Sequence, residues 1–97
     1  MEKESQIKKQ ILSKLREKFS IGVWYKIHGG PQQERGIPDI LGCYKGIFYG
    51  IEIKVPSKKD TVTKYQQFQL DRIKEAGGKV IVVTSVKSTI DFISKNS

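Results

Sequence analysis

The chain has one cysteine and one histidine in 97 residues, Cys43 and His28. A lone cysteine closes no internal disulfide, which fits a reducing cytosol. One Cys and one His cannot supply the four ligands of a structural zinc site. A single His, with no Ser or Cys beside a basic partner in a recognisable motif, gives no hydrolase triad. Long apolar runs are missing too: no stretch approaches the roughly 20 residues of a membrane span. Met1-Glu2-Lys3-Glu4-Ser5 leads into a charged amphipathic stretch and lacks the apolar core of a signal peptide. Acidic residues are scarce beside basic ones. Ten Asp and Glu stand against eighteen Lys and Arg, a formal net charge of +8. That surplus points to a polyanionic partner, nucleic acid before a membrane surface.

What is present describes one small globular domain, residues 1–97. Hydrophobic residues make up 37% and charged residues 29% of the chain, too apolar for a disordered one. There is no repeat, low-complexity stretch or linker. Ile7, Ile11, Leu15 and Phe19 recur at steps of four, with Leu12 beside them, one face of an amphipathic helix over 4–19. Its other face is basic, with Lys8, Lys9, Lys14, Arg16 and Lys18. Val23 to Ile27 is β-branched and aromatic enough for a strand; within it Trp24 and Tyr25 read as core or interface. His28 to Gly36 reads as a loop.

Ile40–Tyr44 and Ile47–Lys54 read as two strands joined by Lys45-Gly46. Thr63 opens a second helix with Leu70, Ile73 and Ala76 on one side, stopped by Gly77-Gly78. Val80 to Val83 is a continuous apolar run, the pattern of a strand buried on both faces. A last short helix over 85–94 turns Ile90 and Ile93 inward. The order α-β-β-β-α-β, with a final short helix, places a helical crossover between the third and fourth strands. The expected fold class is therefore α/β, a mixed sheet flanked by helices.

The chemistry concentrates in Gly36-Ile37-Pro38-Asp39 and Ile51-Glu52-Ile53-Lys54. With the turn centred on Lys45-Gly46, Tyr44 faces Ile47, Cys43 faces Phe48, and Asp39 faces Glu52. Facing residues have Cβ atoms about 4.5–5.5 Å apart. Alternation puts Lys54 on the same face, while Ile51 and Ile53 point to the other. Two like charges about 5 Å apart repel by roughly 1 kcal/mol in water and about 3 kcal/mol at an effective dielectric near 20. Such a pair calls for a cation. Carboxylate oxygens are hard ligands suited to Mg²⁺ or Mn²⁺, and the lysine adds a positive group able to orient a water or stabilise phosphate charge. Singly, each of the three also reads as an ordinary charge on a solvated strand.

Pro38-Asp39, a spacer of twelve residues, then Glu52-Ile53-Lys54 resembles the PD-(D/E)XK nuclease signature. The longer pattern adds Ile40-Leu41, Gly50-Ile51, Thr63-Lys64-Tyr65-Gln66 and Ala76-Gly77-Gly78. Together these are similar to the virus-type replication-repair nuclease (VRR-NUC) domain in its stand-alone form, from about Glu4 to Thr84. The resemblance implies a restriction-endonuclease-like core and a divalent-metal-dependent DNA endonuclease. It implies Asp39 and Glu52 as metal ligands, joined by the backbone carbonyl of Ile53, and Lys54 as the catalytic lysine. The family's helix glutamine falls on Gln66, with Gln67 as the neighbouring alternative. Its first-helix acidic residue falls on Glu4, ahead of Glu2; Glu4 equally reads as a first-turn residue complementing the helix dipole. Also implied are Mg²⁺ or Mn²⁺ as cofactor, Holliday-junction or other branched DNA as substrate in replication, recombination or repair, a homodimer, no membrane, and the cytoplasm of a bacterial or phage-infected cell.

Other residues carry two readings each. Arg35, beside Gln32, Gln33 and Glu34, contacts the DNA backbone or is a solvated loop charge. Lys58, Lys59 and Lys64 line a phosphate track or are surface lysines. His28 touches phosphate or water, or is a plain loop histidine. Cys43 reads as a structural thiol. The rival functions are a nucleic-acid-binding module with a vestigial site, and a basic adaptor, for which the sequence offers no exposed apolar face.

Overall fold

The computed structural model describes residues 3–97; Met1 lies outside the described residues, as does Glu2, the weaker candidate for the first-helix acid. Helix α1 spans Glu4–Lys18 and buries Ile7, Ile11 and Leu15, the predicted stripe, with Phe19 buried at its C-terminus. Strands β1 (Val23–Lys26), β2 (Ile40–Tyr44) and β3 (Ile47–Ile53) follow, then one 3₁₀ turn, Pro56–Lys58. Helix α2 (Lys64–Glu75), strand β4 (Lys79–Val83) and helix α3 (Val86–Asn96) complete the chain. The strands form one sheet in the order β1-β2-β3-β4, antiparallel except for the parallel β3–β4 pair. No helix among the described residues is long and apolar enough to cross a membrane.

The β2–β3 hairpin sets the register. Lys45 and Gly46 have φ of 53° and 79°, the two positive values of a turn whose twist suits a two-residue hairpin. Tyr44 pairs with Ile47, Cys43 with Phe48 and Ile40 with Ile51. Side chains then alternate between two faces. Tyr49, Ile51 and Ile53 point to the face covered by α1 and α3. There they join Ile7, Ile11, Leu15, Trp24, Ile40, Val83 and Ile93 in one core. Gly50, Glu52 and Lys54 belong to the opposite face, which α2 covers in part.

Two glycines let α2 approach that second face. Gly36 has a φ of 81°, and a side chain there would collide with the backbone carbonyl of Tyr65. The Gly36 loop thus lies against the first turn of α2. At Gly50 a Cβ would stand 3.0 Å from Ile73 Cδ1 and 3.3 Å from Pro38 Cγ. Gln69 Nε2 donates to the Arg35 carbonyl at 3.2 Å, and Arg72 pairs with Glu34 at 3.1 Å, fastening the same loop to the helix.

Several expectations change. Strand β4 is half-buried rather than sealed on both faces. It is an edge strand, so α2 and α3 pack on it while its free side meets solvent. Ala76 is exposed, one residue past the end of α2. Trp24 and Tyr25 part company: Trp24 is buried, whereas Tyr25 is 61% exposed. Cys43 faces Phe48 as expected but is exposed. Val23, Tyr25 and Phe48, which alternation puts on the α2 side, are open as well, so the chain does have an exposed apolar face. The reason is that α2 crosses near β3 and β4 and leaves the β1–β2 half uncovered.

Candidate functional site

Asp39 sits one residue before β2, at the step of the register that faces Glu52. Its backbone carbonyl accepts from the Ile27 N–H at 2.9 Å. Its Oδ2 accepts from the Ile53 N–H at 2.8 Å. One carboxylate oxygen is thereby fixed by backbone, and Oδ1 is left to meet other groups. Burial, then the Asp39 charge and a hydrogen bond to Asp39, push the Glu52 carboxyl up to about 8; Lys54 and Lys8 pull it the other way. Asp39 and Glu52 border the same cleft, where burial beside the Asp39 charge disfavours the ionised form of Glu52.

Lys54 follows Glu52 by two residues and lies on the same face. Its backbone N–H donates to the Val83 carbonyl at 2.9 Å, extending the β3–β4 ladder past Ile53. Its ammonium donates to Gln66 Oε1 at 3.1 Å and stands 3.9 Å from Glu52 Oε2. The side chain is buried, as Glu52 is. A buried lysine persists only where its polar head is answered, and here the Gln66 amide oxygen and a Glu52 carboxyl oxygen stand beside it.

Gln66 belongs to the first turn of α2 and has two sets of partners. Thr63 Oγ1 accepts from the Gln66 N–H at 3.1 Å, and Gln66 Oε1 accepts from the Thr63 N–H at 2.9 Å, a capping box. The same Oε1 takes the Lys54 ammonium, while Nε2 donates to Glu52 Oε2 at 3.3 Å. The neighbouring alternative is placed elsewhere: Gln67 is exposed and donates to Asp71 at 2.9 Å.

The remaining candidates divide. Glu4 stands 3.7 Å from Lys8 and is linked to Asp39 through that lysine. Ile53 engages Asp39 through its N–H. Arg35 lies over the Tyr65 ring, 5.1 Å from its centre. Lys58, Lys59 and Lys64 are exposed near the start of α2, and His28 is exposed in the loop after β1. Arg35, Asp39, Glu52, Gln66 and Lys8 border one cleft of about 340 Å³. A larger groove of about 460 Å³ lies to the side, between α2 and the apolar Leu41 and Phe48; it holds neither Asp39 nor Glu52.

Lys8 is the residue that reading the sequence missed. It was counted with the basic outer face of α1, yet it is half-buried and its ammonium lies 3.0 Å from Asp39 Oδ1. Burial works against its charge, but the Asp39 hydrogen bond and the charges of Asp39, Glu4 and Glu52 outweigh that and hold its pKa above the usual lysine value. The available signal was its place beside Ile7, on the edge of the buried stripe, four residues after Glu4.

No group of three or more His, Cys, Asp or Glu side chains is clustered for a metal among the described residues. The donor set is instead two carboxyls on a cleft. That suits Mg²⁺, which takes one or two carboxylates and completes its shell with water and phosphate oxygens.

No family model matches the sequence, and no curated protein does. A solved structure described as a VRR_NUC domain superposes with a TM-score of 0.62, covering 90% of this chain and 94% of that one at 23% identity. Element order, mixed sheet and flanking helices agree with that structure, so the chain shares the fold of that VRR_NUC domain.

Proposed function

We propose that the protein is a divalent-metal-dependent endonuclease acting on DNA phosphodiesters. The observation that carries this reading is the placing of Asp39 and Glu52 on one cleft of a basic domain, with the buried Lys54 ammonium 3.9 Å from Glu52. A carboxyl pair so strained is a poor structural device and a good cation site. Asp39 and Glu52 would hold Mg²⁺ or Mn²⁺, with Ile53 supplying a backbone oxygen and Glu4 a further candidate ligand. The bound ion supplies Lewis-acid polarisation of the scissile phosphate and a more acidic water.

The chain's own groups do the rest. Lys54 Nζ, held by Gln66 Oε1, donates to a phosphate oxygen or steadies the attacking water. Gln66 Nε2 keeps the Glu52 carboxylate turned toward the cleft. As water adds to phosphorus, one P–O ester bond breaks, and the leaving oxygen takes up a proton. Arg35 at the cleft, and the exposed Lys58, Lys59 and Lys64 before and at the start of α2, are the proposed contacts to the phosphate backbone. Branched DNA, Holliday junctions included, in replication, recombination or repair is the proposed substrate. A homodimer, for which the open face bearing Tyr25 and Phe48 offers a surface, and a cytoplasmic setting complete the reading.

The test is cleavage of duplex, single-stranded, flap and four-way-junction DNA with Mg²⁺ or Mn²⁺. Metal-dependent cutting favouring a branched substrate is expected. Lys54→Ala should slow it at least about tenfold, roughly 1.4 kcal/mol, with DNA affinity little changed. Wild-type protein that binds DNA in a salt-dependent way and cuts none of the four would instead make this a binding module.

A further inference from the structure

Lys8 reaches Asp39 from α1, the helix that also carries Glu4, whereas Asp39, Glu52, Lys54 and Gln66 come from other elements. Ile7 and Ile11 are buried on either side of it in sequence, which anchors this stretch of α1 against the core and brings the Lys8 side chain to Asp39. Asp39 has one oxygen committed to the Ile53 N–H. The other, Oδ1, carries the Lys8 ammonium at 3.0 Å. A divalent ion held by Asp39 and Glu52 would compete with Lys8 for the Asp39 carboxylate. A doubly charged ion and an ammonium about 4 Å apart repel strongly where solvent is partly excluded.

We infer that Lys8 is a displaceable counter-ion, which neutralises the carboxyl pair in the metal-free protein and is driven off Asp39 when a divalent ion binds. The inference rests on the metal-site reading above and adds a residue to it. The displaced ammonium has two destinations. Glu4, one turn earlier and already 3.7 Å away, can take it. So can a DNA phosphate in the cleft that Lys8 lines. The second destination couples the ligands: DNA that draws Lys8 away lowers the cost of metal binding, and by reciprocity metal strengthens DNA binding.

The test is isothermal titration of Mn²⁺ into the whole protein, without DNA. Lys8→Met should bind Mn²⁺ at least about tenfold tighter than wild type. Lys9→Met removes the same charge from an exposed neighbouring position and should stay within about twofold. Lys8→Gln, which keeps a neutral donor to Asp39, decides the matter if Lys8→Met does not fold. Asp39→Asn should abolish binding in every background. Non-cleavable junction DNA should raise Mn²⁺ affinity in wild type and do so less in the Lys8 variants. If Mn²⁺ binds through Asp39 but the Lys8 variants match Lys9→Met, the counter-ion role is wrong and the metal site stands. If wild type takes up no Mn²⁺ that Asp39→Asn removes, while the Lys8 variants gain none either, both readings fall.

Discussion

The two faces of β3 sit one residue apart and live under opposite rules. Ile51 and Ile53 are fully buried against α1 and α3 in a core with no charge in it. Glu52 and Lys54 alternate with them on the other face, Glu52 at the cleft and Lys54 buried with its ammonium 3.9 Å from Glu52, among ionisable groups at close quarters. The first face gains free energy from each side chain it hides, about 1.5–3 kcal/mol for an isoleucine. The second face spends some of that on a carboxyl pair that would be more comfortable apart. A strand can present both because its side chains alternate strictly, so a strong core on one side holds an unfavourable cluster in position on the other.

Substitutions that separate the faces should give the largest effects. Ile51→Ala leaves a cavity in the sealed core and should cost about 2–5 kcal/mol of stability, read as a shifted denaturant midpoint. Asp39→Ala should do the reverse: cleavage falls below detection at saturating metal, while the fold survives and DNA binding remains. Relief of the like-charge pair should make the metal-free variant no less stable than its lost Ile53 and Lys8 contacts allow. If Asp39→Ala unfolds the protein as Ile51→Ala does, the second face is structural and the contrast collapses.

The next effect is smaller and concerns pH. In the folded, metal-free protein Glu52 holds its proton up to about 8, against an ordinary value near 4.5. Folding therefore favours proton uptake across that window, and the stability it contributes is full below pH 4.5 and is lost as pH rises toward 8. In chelator, the melting temperature of wild type should fall from pH 5 to pH 8 relative to Glu52→Gln. Each kcal/mol is worth about 4–8 °C in a domain of this size. Mn²⁺ competes with that proton, so its stabilisation should grow over the same interval. A wild-type curve parallel to the Glu52→Gln curve would show that Glu52 does not hold its proton into that range.

These contrasts also mark what the sequence could disclose. The register is legible in the sequence because Lys45-Gly46 and the alternation after it leave little freedom, which sets Ile40 opposite Ile51 and Tyr44 opposite Ile47. The sealed face was legible from Ile7, Ile11 and Leu15, whose spacing is a local property. The open face was harder. Whether β4 is sealed or half-exposed depends on its place at the sheet edge, and Val80 to Val83 reads the same either way. Tyr25 reads as core or interface because nothing local says that α2 stops short of it. Lys8 was hidden for a related reason: its partner Asp39 lies 31 positions further along the chain, and helix periodicity reports a face without reporting what that face meets.

The finest test asks which side of the comparison Gln66 belongs to, since it caps α2 and also touches Glu52 and Lys54. Thr63→Ala removes the cap's hydroxyl and leaves the site contacts, so it should cost about 1 kcal/mol of stability with the cleavage rate kept. Gln66→Ala removes both sets of partners, and should lose similar stability and a further threefold to tenfold in rate, about 0.7–1.4 kcal/mol. Gln66→Glu keeps an oxygen for the Thr63 N–H and for Lys54, yet replaces the donor to Glu52 with another negative charge. It should preserve the helix and still slow cleavage, with the deficit greatest at low metal. Gln67→Ala, on the outer surface, should change neither stability nor rate appreciably. Matched denaturation and cleavage measurements on the four variants separate the roles. A Gln66→Ala rate equal to that of Thr63→Ala would make the glutamine a cap alone, and leave Lys54 to be positioned by Glu52 and its own burial.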